Sequence, residues 1–161
     1  MLKTRAEIDA IAWRILEEKV PRPSRAPGYP TSPRPSNYAE LAAVARDRGD
    51  FELAWAEFLH EFFAYKSASF FAVPPPTSFS REHRAWLAGV AEYLCRRFHL
   101  PVPGWIDGPE FFLVEEWDFA TEMFGELFVD MTPFREERRA RSHDAFLRRN
   151  VIFEPRGLIA L

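Results

Sequence analysis

Four histidines, one cysteine and a dense run of carboxylates are the side chains of this sequence that could do chemistry. His60-Glu61 opens the HExxH arrangement of a zinc hydrolase, but no second histidine closes it. His83, His99 and His143 have no second histidine or cysteine at ligand spacing, and Cys95 stands alone. A structural or catalytic zinc is therefore not expected. Glu122 and Glu126 lie one helical turn apart, with Asp118 and Asp130 in reach of the same face, as a divalent cation would require. The competing reading is an acidic, solvated face, or one that meets a basic partner. The opposite charge follows at Arg135, Arg138, Arg139, Arg141, Arg148 and Arg149, where ion pairing within the fold or with a protein competes with nucleic-acid binding. Arg138 and His143 also stand at R-x4-H spacing. GxSxG, GxxxxGK[ST] and GxGxxG are all missing, which removes the clearest hydrolase, P-loop and dinucleotide signals.

The elements that would position these groups are helical. Thr4 to Glu7 has capping-box spacing, and Ile8, Ile11, Ala12, Ile15 and Leu16 recur at helical intervals, so residues 1–20 are read as an N-terminal helix. Residues 21–37 carry six prolines and no periodicity, which predicts a proline-rich linker or arm. Residues 38–161 are read as the core domain. Asn37 and Glu40 predict the start of its first helix, Gly49 its end, and Asp50 the cap of a strongly apolar one. That second helix sets Phe51, Trp55, Phe58, Leu59, Phe62 and Phe63 on one stripe. Three prolines from Pro74 stop the segment, and Ser80 opens a further amphipathic helix reaching Phe98. Trp105 then sits in an irregular, proline-braced turn, either as a clamp on the core or as a binding surface. A helix is predicted from Asp118 to Asp130 and a basic one after Thr132-Pro133, with Ser142 capping a short turn. Asn150 reads as a stop, and Val151 to Phe153 as one short β-prone run. The seven glycines are assigned to turns.

At 161 residues, with 47% hydrophobic and 28% charged residues, the chain has the size and balance of one globular domain. Its 16 Phe and 5 Trp predict either an unusually aromatic core or a partner surface. Cys95 lies among helix-core residues and reads as a buried structural thiol. No long apolar run is present, so a cytoplasmic location is expected. A net charge of -3 speaks against a general nucleic-acid binder. The fold class is read as all-α, an irregular single-domain helical bundle with a proline-rich N-terminal arm and a short C-terminal strand.

Four stretches carry a resemblance: GVAEYL (residues 89–94), LPVPGW (100–105), FFLVEEWDF (111–119) and HDAFLRRNVIF (143–153). With KVPRP at 19–23 and the FLHEFF run, this order resembles a family of uncharacterised bacterial helical proteins, the partners of nucleotidyltransferase-like proteins in toxin-antitoxin pairs. The resemblance implies a protein-binding module on the antitoxin side, acting by occlusion. It carries over no catalytic residues, metal or cofactor. Some related chains have a helix-turn-helix where this one has its arm. Expected contact residues are Trp13, Tyr29, Trp105, Arg138, Arg139 and Arg141. An alternative comes from Arg138 and His143, whose spacing resembles the catalytic motif of the helical HEPN ribonucleases, although Arg139 stands where that motif has a polar residue. A third reading is a self-associating structural protein that forms a homodimer.

Overall fold

A computed structural model describes residues 34–124 and 132–158, together with Thr4, Glu7 and Ala10. Among these residues the protein is a mostly-α domain. Six α-helices follow in order: α1 (Tyr38–Arg48), α2 (Phe51–Tyr65), α3 (Arg81–Arg97), α4 (Phe119–Phe124), α5 (Arg135–Arg141) and α6 (Asp144–Leu147). Two short strands, β1 (Trp117–Asp118) and β2 (Val151–Ile152), pair in parallel with Trp117 opposite Val151. Short 3-10 turns fill the connections, two of them, Gly104–Asp107 and Pro109–Phe111, in the segment read as irregular.

The helix boundaries follow local hydrogen bonding. Asn37 Oδ1 accepts the Glu40 amide at 2.9 Å, and Glu40 reaches back to the amide of Ser36 at 2.7 Å, one residue earlier than a standard capping box. Gly49 ends α1 at φ 65, a left-handed turn that L side chains avoid. Asp50 and Ser80 accept the amides of Leu53 and His83 and open α2 and α3. Thr4 and Glu7 exchange the two bonds of the expected capping box, at 2.7 and 3.4 Å. The rest of the predicted N-terminal helix and of the predicted arm, with Trp13 and Tyr29, lies outside the described residues. So does the stretch through Gly125, Glu126 and Asp130 over which the Asp118 to Asp130 helix was expected to run.

Two expectations are corrected. Ser142 closes α5 instead of opening α6: its hydroxyl donates to the Arg138 carbonyl at 2.8 Å and accepts the Phe153 amide at 2.9 Å. A hydroxyl can do both at once, so it ties a helix end to the segment after β2. The cap of α6 is His143, whose Nδ1 accepts the Ala145 amide at 3.1 Å. Nor are the glycines confined to turns, since Gly89 lies in the middle of α3.

The core sits around α3. Every residue from Ala85 to Glu92 is buried, so the helix is enclosed on all sides at its centre and not only along one stripe. It packs against α6, β2 and the two turns that follow Leu100, while α1 and α2 pair with each other. The aromatic residues are largely interior. Trp86 lies 4.8 Å from Trp55 and stacks on Phe119 at 4.6 Å, while Phe58, Phe62, Phe70 and Phe71 form a continuous cluster of edge and tilted contacts. Such pairs add about 0.5–1.5 kcal/mol each beyond the area they bury. Tyr38, fully buried against Phe58 and Phe71, donates its hydroxyl to the Leu87 carbonyl at 2.7 Å and so joins α1 to α3.

Candidate partner-binding groove

An open groove of about 970 Å³ runs along α1. One wall is the helix face made by Ala39, Ala42, Ala43 and Arg46, spaced i, i+3, i+4 and i+7. The other wall comes from Phe51 at the start of α2 and from Pro76, Phe79 and His83 around the start of α3. Short side chains on α1 leave the space, and aromatic rings supply the apolar floor. Asp50 and Glu52 put carboxylates at one end, and Arg46 is held to Asp47 at 3.2 Å. Sequence reading missed this groove. Its only sequence signal is the alanine row, which a helical pattern assigns to neither core nor charged face.

His83 lies in the groove wall and titrates nearest neutral pH. Its Nδ1 lies 2.7 Å from the Ser80 hydroxyl, and its ring packs edge-on to Phe51 at 6.0 Å and Trp117 at 5.5 Å. Burial pushes the imidazole below its ordinary value, against smaller opposing effects of Glu122 and Glu82. A base whose folded value is depressed binds a proton more readily when unfolded. Stability is therefore full above the unfolded value of 6.5 and falls as pH drops below it. His83→Gln is expected to flatten the fall in thermal midpoint as pH drops below 6.5. An unchanged slope would place the pH dependence elsewhere.

The residues read as contact or catalytic candidates are mostly engaged inside the fold. Trp105 is the clamp: its indole donates to the Phe71 carbonyl at 2.8 Å, with Phe111 and Tyr38 edge-on at 5.1 and 6.2 Å. Arg138 binds Asp118, Arg139 and Arg135 both bind Glu116, and the exposed Arg141 lies 3.8 Å from Glu137. The acidic 116–118 stretch and the basic helix α5 thus neutralise one another. Asp118 also accepts the Ala120 amide at 3.1 Å and the Thr121 hydroxyl at 3.2 Å, so its carboxylate anchors α4. His143 caps α6 and packs its ring on Tyr93 at 4.9 Å. Cys95 is buried, its thiol pushed up to about 11 by that burial, which makes it an inert core residue.

The four stretches that carried the resemblance meet at a second place, a clasp. Arg149, fully buried, donates to the Glu92 carboxylate at 2.6 Å, to the Ile106 carbonyl at 3.1 Å and to the Ala145 carbonyl. Arg148 reaches the same carboxylate and also Asp107 at 2.9 Å. Both guanidiniums lie 5.3 Å from the centre of the Phe112 ring. Asn150, left-handed at φ 58, donates to the Leu113 carbonyl at 2.7 Å and accepts the Trp117 amide at 2.8 Å. GVAEYL thus supplies the carboxylate and HDAFLRRNVIF the guanidiniums. Ile106 and Asp107 come from the turn that LPVPGW begins, and FFLVEEWDF supplies the strand. These residues hold distant segments together.

Comparison with protein-family models, curated proteins and solved structures finds no match to this chain. What these four stretches do is therefore read from where they sit. No group of metal-ligating side chains is formed among the described residues, and none of their helices is long and apolar enough to cross a membrane.

Proposed function

We propose that the chain is a protein-binding module, an antitoxin-like partner that neutralises a nucleotidyltransferase-type toxin by occlusion. The observation that carries this reading is the groove along α1, an open apolar cleft of about 970 Å³ on a domain whose other aromatic residues are mostly interior. Its short-walled, aromatic-floored shape fits the apolar ridge of a partner helix, with Asp50 and Glu52 placed to meet a basic flank. Trp13 and Tyr29 would anchor the N-terminal segment on the same partner. The ribonuclease alternative is less well supported. The two residues it needs hold Asp118 and the α6 amide, respectively.

The test is co-expression with the product of the neighbouring gene. A stable complex and rescue of growth are expected, and Ala43→Arg in the groove should weaken the complex by about tenfold or more. No complex and no rescue would reject the reading. Degradation of RNA by the purified chain, abolished by His143→Ala in a folded variant, would replace it with the nuclease.

A further inference from the structure

We infer that Ser80 and His83 form a nucleophile and base pair in the wall of the groove, suited to hydrolysing a carboxylic ester with an apolar acyl group. Ser80 opens α3, and a cap needs its hydroxyl only as an acceptor, here for the His83 amide at 3.2 Å. The same oxygen also lies 2.7 Å from His83 Nδ1. A hydroxyl that accepts the amide can donate its own hydrogen to Nδ1, the direction in which a general base draws the proton from a serine. Burial pushes the imidazole below its ordinary value, so at neutral pH the ring is uncharged and free to take that proton. Both residues line the groove, and Ser80 is exposed.

The other parts of an acyl-transfer site stand around the pair. Helix α3 leaves its first amides outside the helical ladder. Ser80 satisfies those of His83 and Arg84, the latter through its carbonyl at 2.9 Å, while those of Arg81 and Glu82 have no acceptor among the described residues. The amide one residue after a nucleophilic serine at a helix start is where an oxyanion is held. Glu122, fixed by the Trp117 indole at 3.1 Å, draws the His83 value upward, so its charge favours the imidazolium that forms during reaction. The Phe51 and Phe79 rings and the alanines of α1 give the acyl group an apolar seat, and the carboxylates of Asp50 and Glu52 repel an anionic one. In the reaction the Ser80 oxygen bonds to the ester carbonyl carbon as its proton passes to His83 Nδ1. The carbon–oxygen bond to the alcohol then breaks, and the alcohol leaves with that proton. Water next attacks the acyl-serine, giving a proton to His83, and the carboxylic acid departs as the proton returns to Ser80.

The test uses the full chain, with p-nitrophenyl butyrate as the ester and a fluorophosphonate as the trap. Release of p-nitrophenol above background is expected, with phosphonylation of Ser80 found by peptide mass spectrometry. His83→Gln should slow both by about 100-fold or more. Ser80→Asn keeps a side-chain oxygen for the cap, so it should fold as the parent does yet neither hydrolyse nor label. p-Nitrophenyl succinate, whose acyl group is anionic, should turn over more slowly than the butyrate. An unlabelled Ser80, a label on the neighbouring Ser78 instead, or turnover unchanged in Ser80→Asn or His83→Gln would overturn the proposal. Equal rates for the two esters would overturn the acyl class assigned to the groove. The reaction needs no partner, so its failure leaves the binding reading to its own test, and a missing complex leaves this one standing.

Discussion

Arg149→Ala is expected to lower folding stability by about 3–5 kcal/mol, read as a fall in the urea midpoint at unchanged slope. The size comes from what remains behind. Glu92 is only 4% exposed, and without Arg149 its carboxylate keeps the half-exposed Arg148 and the solvent-facing Arg96 but loses its buried donor. The carbonyls of Ala145 and Ile106 lose the same guanidinium, so α6 and the turn after Gly104 come loose together. Replacing both partners, Arg149→Met with Glu92→Met, should recover most of the loss, because no buried charge is then stranded and Arg148 can turn to solvent. The pair also sets an acid limit. Burial alone would raise the Glu92 carboxyl, but hydrogen bonds and charge from Arg149 and Arg148 outweigh it and hold the group below its ordinary value of 4.5. Its contribution is therefore present above about pH 4.5 and is lost as pH falls through the lower folded value. In Arg149→Ala the acid transition should begin at higher pH. An Arg149→Ala protein within about 1 kcal/mol of the parent would show that the clasp does not hold the fold.

Much of the helical framework was legible because helix starts and stops are local chemistry. Asn37, Asp50 and Ser80 cap the helices they were expected to cap, and Gly49 and Asn150 take the left-handed conformations that end segments. The stripe Phe51, Trp55, Phe58, Phe62 is the interior face of α2 or its edge, as helical spacing requires. What the sequence hid depends on groups far apart in the chain. Strand β1 is absent from any pattern, since Trp117 and Asp118 pair only because Val151 and Ile152 are brought beside them. Ion pairing within the fold was one reading of Arg148 and Arg149, but their partner was hidden, because Glu92 lies in a helix that reads as an ordinary amphipathic one. The groove was unreadable for the opposite reason. Alanine fits helices of every environment, so a row of alanines signals neither burial nor binding.

Gly89→Ala is the second large effect, and its sign runs against helix propensity. Inside an exposed helix the change would stabilise by about 1 kcal/mol. Here a Cβ on Gly89 would stand 2.5 Å from Phe146 Cδ1, 2.8 Å from Cε1 and 3.2 Å from the Ala145 carbonyl oxygen. The carbonyl belongs to the backbone of α6 and accepts from Arg149, so it is fixed by the clasp. The ring is fully buried, with Phe153 at 4.9 Å and Tyr93 at 6.2 Å, and has no free volume to enter. Helix α6 must therefore move away from α3. That movement would lengthen the Arg149 to Glu92 contact and part the Ser142 hydroxyl from the Phe153 amide, so the overpacking cost of about 1–3 kcal/mol is a lower bound. A thermal midpoint well below the parent is expected, and Gly89→Leu should not fold. Combining Gly89→Ala with Phe146→Leu removes the obstructing ring atoms, so the double variant should be more stable than the sum of the two single losses predicts. If Gly89→Ala instead proved more stable than the parent, α6 would not be pressed against α3 at this point. The contact between the glycine of GVAEYL and the phenylalanine of HDAFLRRNVIF would then not explain why those two stretches belong together.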